Sequence, residues 1–178
     1  MKRLLSLFGV KRGETVKELA AFPQMDTGAP SPLILANDNR LALIYYLNDN
    51  PSPDGTYETV RRQRSESEPG PVAFVKASFT AIRFGYPNDE ALAGHRLYPK
   101  GLRHYGVWEV MDSEWPGELD KANAVHPRHI PGLFRGRHIV FTFHDTTLEL
   151  LGEDLEVEVR EQSAVGLLPE MLKYVQSI

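Results

Sequence analysis

The sequence predicts an α+β fold, with a largely antiparallel β-sheet, a few short helices and a C-terminal helix. Strand patterns follow one another along the chain, and the helical patterns between them are sparse, which argues against a doubly wound sheet. Residues 137–143 alternate most clearly, with Ile139, Phe141 and Phe143 on one face. A closed β-barrel with a C-terminal helix is the alternative arrangement.

The length and composition predict one domain. The 178 residues are enough for one full hydrophobic core and too few for two ordinary domains. We therefore predict a single domain over residues 1–178, with residues 1–31 as a peripheral N-terminal segment. The apolar run near the start is short and lacks a cleavage site, and no segment approaches the length that spans a bilayer, so we predict a cytoplasmic protein without a membrane partner.

The first half of the chain shows one helical pattern followed by strand patterns. Residues 11–21 predict a short helix and residues 22–32 a loop. Residues 33–47 predict two strands around an Asn-Asp-Asn turn, because Asn and Asp tolerate the left-handed backbone of tight turns. Residues 48–56 look rich in calcium ligands, but two prolines and a misplaced arginine exclude an EF-hand loop. Residues 56–62 predict a further strand.

The middle of the chain predicts a central strand over residues 72–84, bulged near Lys76 to Ser78, because its apolar run is too long for a half-exposed edge. Residues 88–94 predict one or two helical turns, and residues 104–112 predict a strand. Asp112 or Ser113 then caps a helix within residues 114–124.

The C-terminal part predicts a meander closed by a helix. A two-residue turn at Asp145-Thr146 pairs Phe143 with Leu148, and a second turn at Glu153-Asp154 pairs Leu150 with Val157, so the large apolar groups share one side. Neither turn has Asn-Gly chemistry, so longer loops that keep the same facing remain possible. In the helix of residues 166–178, three residues are predicted to pack on the sheet: Met171, Leu172 and Val175.

A basic segment runs into an acidic one in the last third of the chain. There is no acidic residue from Lys121 to His144, whereas residues 145–161 are strongly acidic. The two segments either neutralise each other or leave a surface that binds a small anionic ligand or an acidic protein partner. For the second case we predict a non-catalytic binding or interaction module, whose binding residues are Arg128, Arg135, Arg137 and His138. The net charge of −4 argues against a nucleic-acid partner.

The alternative function is an enzyme of hydrolase or lyase type. The chain has no P-loop, dinucleotide fingerprint, HExxH or GxSxG motif. The predicted register puts Thr142, Glu149 and Glu158 in one row and His144 in the next, on the face opposite the core. That face is either an ordinary solvated set of charges or a site in which His144 acts as acid or base, oriented by Glu149 or Asp145. The catalytic candidates are His144, Asp145, Glu149 and Glu158.

The sequence itself requires no cofactor. Without cysteine there is no disulfide, thiolate zinc site or cysteine nucleophile, so a metal would need His and carboxylate ligands. The "HPRH" stretch offers His126 and His129 as candidate zinc ligands, and a metal-dependent enzyme is a variant of the alternative function. His138 and His144 cannot share one ion, because six residues of strand separate them by roughly 20 Å.

The stretch from Pro71 to Glu161 resembles an uncharacterised group of bacterial proteins. The similarity rests on an HPxH loop followed by the pattern RHxxFTFHDxTxE, here "HPRHIPGLFRGRHIVFTFHDTTLE". The resemblance implies a bacterial source and one continuous domain. It implies no activity and assigns no catalytic residue.

Overall fold

The computed structural model describes residues 13–48 and 67–177, and its strands form one antiparallel sheet. The strands are β1 (Thr15–Glu18), β2 (Leu33–Ala36), β3 (Arg40–Tyr46), β4 (Gly70–Gly85), β5 (Val107–Met111), β6 (Arg137–Thr142) and β7 (Thr147–Gln162). The helices are α1 (Trp115–Asn123) and α2 (Ala164–Gln176), with short 3₁₀ turns at Leu92–Gly94 and Tyr98–Lys100.

The sheet confirms the predicted α+β class. Its spatial order is β1-β5-β6-β7-β4-β3-β2, and all six neighbouring pairs are antiparallel. The described strands leave β1 and β2 as opposite edges, so the sheet is open and the barrel alternative is wrong. No helix within the described ranges is long and apolar enough to cross a membrane.

The hairpin of β6 and β7 keeps the predicted facing with a longer loop. Phe141 pairs with Leu148 and Ile139 with Leu150, a shift of two residues from the two-residue turn. The Phe143 N–H donates to the Thr146 carbonyl at 2.9 Å, which closes a loop of residues 143–146. Because side chains alternate with a period of two, a shift of two leaves every apolar group on the same face.

The second predicted turn, at Glu153-Asp154, is wrong. β7 continues through it as one strand of 16 residues and pairs with β4, which also has 16 residues. Asp154 has a φ of 49°, and the β4 register shifts between Lys76 and Ser78, so a bulge stands where a turn was predicted. The bulged central strand predicted for residues 72–84 is confirmed.

Three further predictions are confirmed: the two strands around the Asn-Asp-Asn turn, the strand at residues 107–111 and the helix after Ser113. The helix predicted for residues 11–21 is wrong, because residues 15–18 pair with β5 as an edge strand. The strand predicted for residues 56–62 lies outside the described residues, as does almost all of the excluded calcium loop.

Both faces of the sheet are covered. One face carries the main core, with Tyr45, Phe141 and Phe143 fully buried among Leu41, Leu43, Leu148 and Leu150. On the other face, α2 packs on β3 and β4, and residues 92–102 pack on β5 and β6. This second layer buries the sheet face opposite the main core, which was predicted to be polar.

Helix α2 packs on the sheet through Leu167, Met171 and Val175. Burying an aliphatic side chain of this size contributes about 1.5–3 kcal/mol, so these residues hold the helix in place. Met171 and Val175 are confirmed as core residues. Leu172 is 47% exposed, so its predicted packing is wrong.

Candidate functional site

His144 lies at the end of the sheet, in the loop between β6 and β7, where it meets the segment that follows β4. Its Nδ1 is 3.0 Å from Asp89 Oδ2, and the Asp89 N–H donates to the His144 carbonyl at 2.9 Å. The two loops are therefore joined by both backbone and side chain. Asp89 comes from a segment that the sequence predicted only as a helix start.

Tyr105 completes this end of the sheet. Its hydroxyl donates a short hydrogen bond to Asp89 Oδ2, and its ring stacks on His144 with a centroid distance of 6.3 Å. Burial raises the pKa of Asp89, but hydrogen bonds from Tyr105 and the Glu90 N–H, together with the His144 ring, outweigh it and hold that pKa below its usual value. Asp89 is therefore ionised near neutral pH and accepts from its neighbours.

A polar cavity of about 240 Å³ adjoins His144, lined by Gly28, Ala29, Ser31, His144 and Asp145. Its other wall is the segment before β2, which is held by Asp26. Asp26 Oδ1 accepts from the Gly28 and Ala29 N–H groups at 2.8 Å each, and the Asp26 N–H donates to the Tyr46 carbonyl at 3.0 Å. This Asx-type turn fixes the backbone that faces the histidine.

A second polar cluster, the Glu149 cluster, lies under the layer formed by residues 92–102 and α1. It consists of Ser113, His138, Glu149, His95 and Arg96. Ser113 Oγ is 2.8 Å from His138 Nδ1, and His138 Nε2 is 2.9 Å from Glu149 Oε2. The His138 side chain is fully buried against the ring of Trp115. A partly buried hydroxyl, a buried imidazole and a buried carboxylate thus form one hydrogen-bonded chain.

The charge of Glu149 is compensated from several sides. Arg96 Nη2 lies 3.4 Å from Oε2, and His95 Nε2 lies 3.7 Å from Oε1. Burial alone raises the pKa of this carboxyl, but the bonds from His138 and His95 and the charge of Arg96 hold it well below its usual range. Glu149 is therefore an ionised buried group that needs all of its partners.

Glu14 continues the cluster toward β1. Its carboxylate is almost fully buried and accepts from Arg96 at 2.8 Å, Lys100 at 2.6 Å and the Glu114 N–H at 2.8 Å. Burial raises the pKa of Glu14, but the N–H of Glu114 and the two cations lower it below its usual value. The segment predicted as peripheral thus supplies a buried carboxylate.

The catalytic candidates do not come together as predicted. Glu149 bonds to His138 instead of His144, and Asp145 is 87% exposed with Oδ1 4.0 Å from His144 Nε2. Glu158 pairs with Phe74 on β4 and binds Lys76 at 3.1 Å, nine residues along β7 from Glu149, or about 30 Å at 3.3 Å per residue. The predicted row of Glu149 and Glu158 is therefore wrong, because β7 does not fold back on itself.

The binding candidates divide into two pairs. Arg137 donates to both Glu109 oxygens at 2.8 Å, and His138 is buried, so neither is free at the surface. Arg128 and Arg135 are exposed and form no ion pair with any residue in the described ranges. The two binding candidates that are exposed and unpaired within the described ranges thus belong to residues 124–136, which we call the basic loop.

The candidate zinc ligands also lie in the basic loop. His126 Nδ1 accepts the Arg128 N–H at 3.1 Å, and His129 Nε2 is 4.0 Å from Asp120. Within residues 13–48 and 67–177, no three His, Cys, Asp or Glu side chains are grouped so that they can hold a metal ion.

No protein-family model matches the chain, and neither a curated protein nor a solved structure does. Function is therefore inferred from the residues and their geometry. Sequence reasoning missed Asp89, Tyr105, Ser31, Ser113 and His95. The one available signal was the Ser113 position between a strand and a helix, where the sequence predicted only a cap.

Proposed function

We propose that the protein is a cytoplasmic bacterial binding module whose basic loop recognises an acidic protein partner. The observation that carries the proposal is the joint exposure of apolar and cationic side chains in this loop. Val125, Ile130 and Leu133 are 90%, 63% and 60% exposed, beside Arg128 and Arg135. Exposed apolar groups clustered among polar ones are typical of a protein interaction surface.

The basic loop holds its shape without regular secondary structure. Asp120 of α1 accepts the Gly132 N–H at 2.6 Å, and the loop closes on itself through the His129 N–H to His126 carbonyl bond at 2.9 Å. Arg135 Nε donates to the Gly132 carbonyl at 3.1 Å. A loop that is already ordered loses less conformational entropy when it binds, which favours binding.

The charge of the loop supports an acidic partner. Arg128 and Arg135 have no acidic partner within the described residues, whereas Arg137 is neutralised by Glu109. Guanidinium groups favour carboxylates, and the apolar side chains beside them need an apolar surface to contact. A protein surface with carboxylates around an apolar patch satisfies both, whereas a small anion satisfies only the cations.

Fluorescein-labelled poly-L-glutamate tests the electrostatic part of the proposal by fluorescence anisotropy. We expect the variant R128A/R135A to bind about 2- to 30-fold more weakly than the wild type, from two exposed ion pairs of about 0.2–1 kcal/mol each. The matched control is K17A/K173A, which removes the same charge from exposed positions on β1 and α2.

Equal affinity of R128A/R135A and the wild type would contradict the proposal, as would an equal loss in the lysine control. Calorimetric titration with inorganic phosphate separates the small-anion alternative. Phosphate binding that depends on the two arginines, with no binding of poly-L-glutamate, would replace the protein partner by a small anion.

A further inference from the structure

His144 has the geometry of an oriented general base. Asp89 contacts its Nδ1 at 3.0 Å, and its Nε2 makes no hydrogen bond to any residue in the described ranges. A carboxylate at Nδ1 keeps the proton on that nitrogen and leaves the lone pair on Nε2. The side chain is 39% exposed, so the ring is accessible, unlike the buried ring of His138.

The cavity beside His144 supplies space for a reacting group. Its 240 Å³ corresponds to a sphere about 8 Å across, below the roughly 300–1,000 Å³ of ordinary ligand pockets. It therefore accommodates a short acyl group or one end of a larger molecule. Among the described residues that line it, only Ser31 bears a hydroxyl.

Ser31 is held in an unusual backbone conformation. Its φ is 40°, in the left-handed region that residues other than Gly, Asn and Asp rarely adopt. Proline stands on both sides, and the Pro30 carbonyl accepts the Tyr46 N–H at 2.8 Å, so the segment is fixed to β3. Strained residues of this kind cluster at functional sites, where the surrounding structure maintains them.

We propose that Ser31, His144 and Asp89 form a serine-nucleophile site that hydrolyses small carboxylic esters. The site is separate from the basic loop, since none of the three residues lies within 124–136. Ser31 and His144 contact the substrate or its reacting atoms, whereas Asp89 acts through His144 and is a positioning residue.

The reaction proceeds in two balanced steps. As Ser31 Oγ bonds to the ester carbonyl carbon, its proton passes to His144 Nε2; the carbon–oxygen bond to the alcohol then breaks, and the alcohol leaves with that proton. Water attacks the acyl-serine in the same way, with His144 as base and then as acid. The products are the alcohol and the carboxylic acid.

Two probes test the site on the full chain. The first is hydrolysis of p-nitrophenyl acetate. The second is labelling by a fluorophosphonate that reacts with activated serines, with the modified residue located by mass spectrometry. We expect the wild type to release p-nitrophenol and to carry the label on Ser31. S31G should lose both signals, and Gly adopts the positive φ without cost, so the fold is kept. H144Q should lower both rates by about 10²–10⁴-fold.

Asp89 is tested by a signal that a purely structural role does not change. In nitrogen-15 NMR spectra, the neutral His144 ring should carry its proton on Nδ1 in the wild type. In D89N it should carry the proton on Nε2, because the amide can donate to Nδ1. The labelling rate of D89N should fall along with this change of tautomer.

The matched control is S113A, since Ser113 is hydrogen-bonded to the other histidine, His138. It should label as fast as the wild type. No label on Ser31 in the folded wild type would overturn the proposal, and so would undiminished labelling of H144Q. Loss of labelling in S113A but not in S31G would move the nucleophile to the Glu149 cluster and also overturn it.

Discussion

Glu149 provides the sharpest test of the electrostatics, because truncating it leaves the fully buried His138 Nε2–H without an acceptor. An unsatisfied buried donor costs about 1–3 kcal/mol, and breaking a buried charge pair costs about 3–5 kcal/mol in all. We therefore expect E149A to lower the free energy of unfolding by about 3–5 kcal/mol. In E149Q the amide oxygen still accepts from His138, so only the charge is lost and the cost should be about 1–2 kcal/mol.

Urea denaturation followed by circular dichroism measures both variants, with E161Q as the control. Glu161 is an exposed residue on the same strand, β7, so its change should stay within about 0.5 kcal/mol. For a chain of this size, 3–5 kcal/mol corresponds to a fall in Tm of about 6–20 °C. A free energy of unfolding for E149A within about 1 kcal/mol of the wild type would contradict this role of Glu149, and so would an E149Q variant as unstable as E149A.

The pKa of Glu149 fixes how the stability difference between the wild type and E149Q changes with pH. The pKa of Glu149 in the folded protein is lowered from 4.5, so its ionised form contributes stability that is fully present above pH 4.5. That contribution is lost as the pH falls below 4.5 through the folded pKa. The difference in unfolding free energy between the wild type and E149Q should therefore be constant near neutral pH and shrink in acid. A difference that grows in acid would contradict the assignment.

Two further outcomes follow from the packing and from the surface ion pair. G152A should lower the free energy of unfolding by about 1–3 kcal/mol in urea denaturation, because a Cβ there would lie 2.4 Å from the Ser78 carbonyl oxygen. The control G117A lies in open space on α1 and should be neutral or stabilising by up to about 1 kcal/mol. Equal effects of the two substitutions would contradict the clash at Gly152. In a double-mutant cycle, R137A and E109A should show a coupling free energy of about 0.2–1 kcal/mol that falls with added salt, because the pair is exposed to solvent. A coupling free energy of several kcal/mol would contradict this weak, screened interaction.

The candidate site was only partly predictable, because its parts are distant in sequence. His144 stands out as a histidine at the end of an alternating strand. Its partner Asp89 lies 55 positions earlier and Tyr105 lies 39 positions earlier. No local pattern links them, since their contact depends on how the end of β4 meets the loop between β6 and β7. Proximity in sequence instead predicts Asp145 and Glu149 as the acidic partners of His144.

The sequence by itself determined which side chains share a face, because alternation with a period of two is a property of the extended backbone. Ile139, Phe141 and Leu148 fall in one core whether the loop has two residues or four. It also determined the central strand, since a long apolar run with β-branched and aromatic residues has no stable exposed position.

Only the tertiary structure decided what covers the opposite face. The alternation places His138 and Glu149 opposite the core, on a face predicted to be either solvated or a polar site. Residues 92–102 and α1 bury both side chains, and His138 Nε2 lies 2.9 Å from Glu149 Oε2. It also decided that β7 runs on along β4 instead of turning back. Both outcomes depend on contacts between segments far apart in the chain. The pattern of any one segment does not determine the free energy of such contacts.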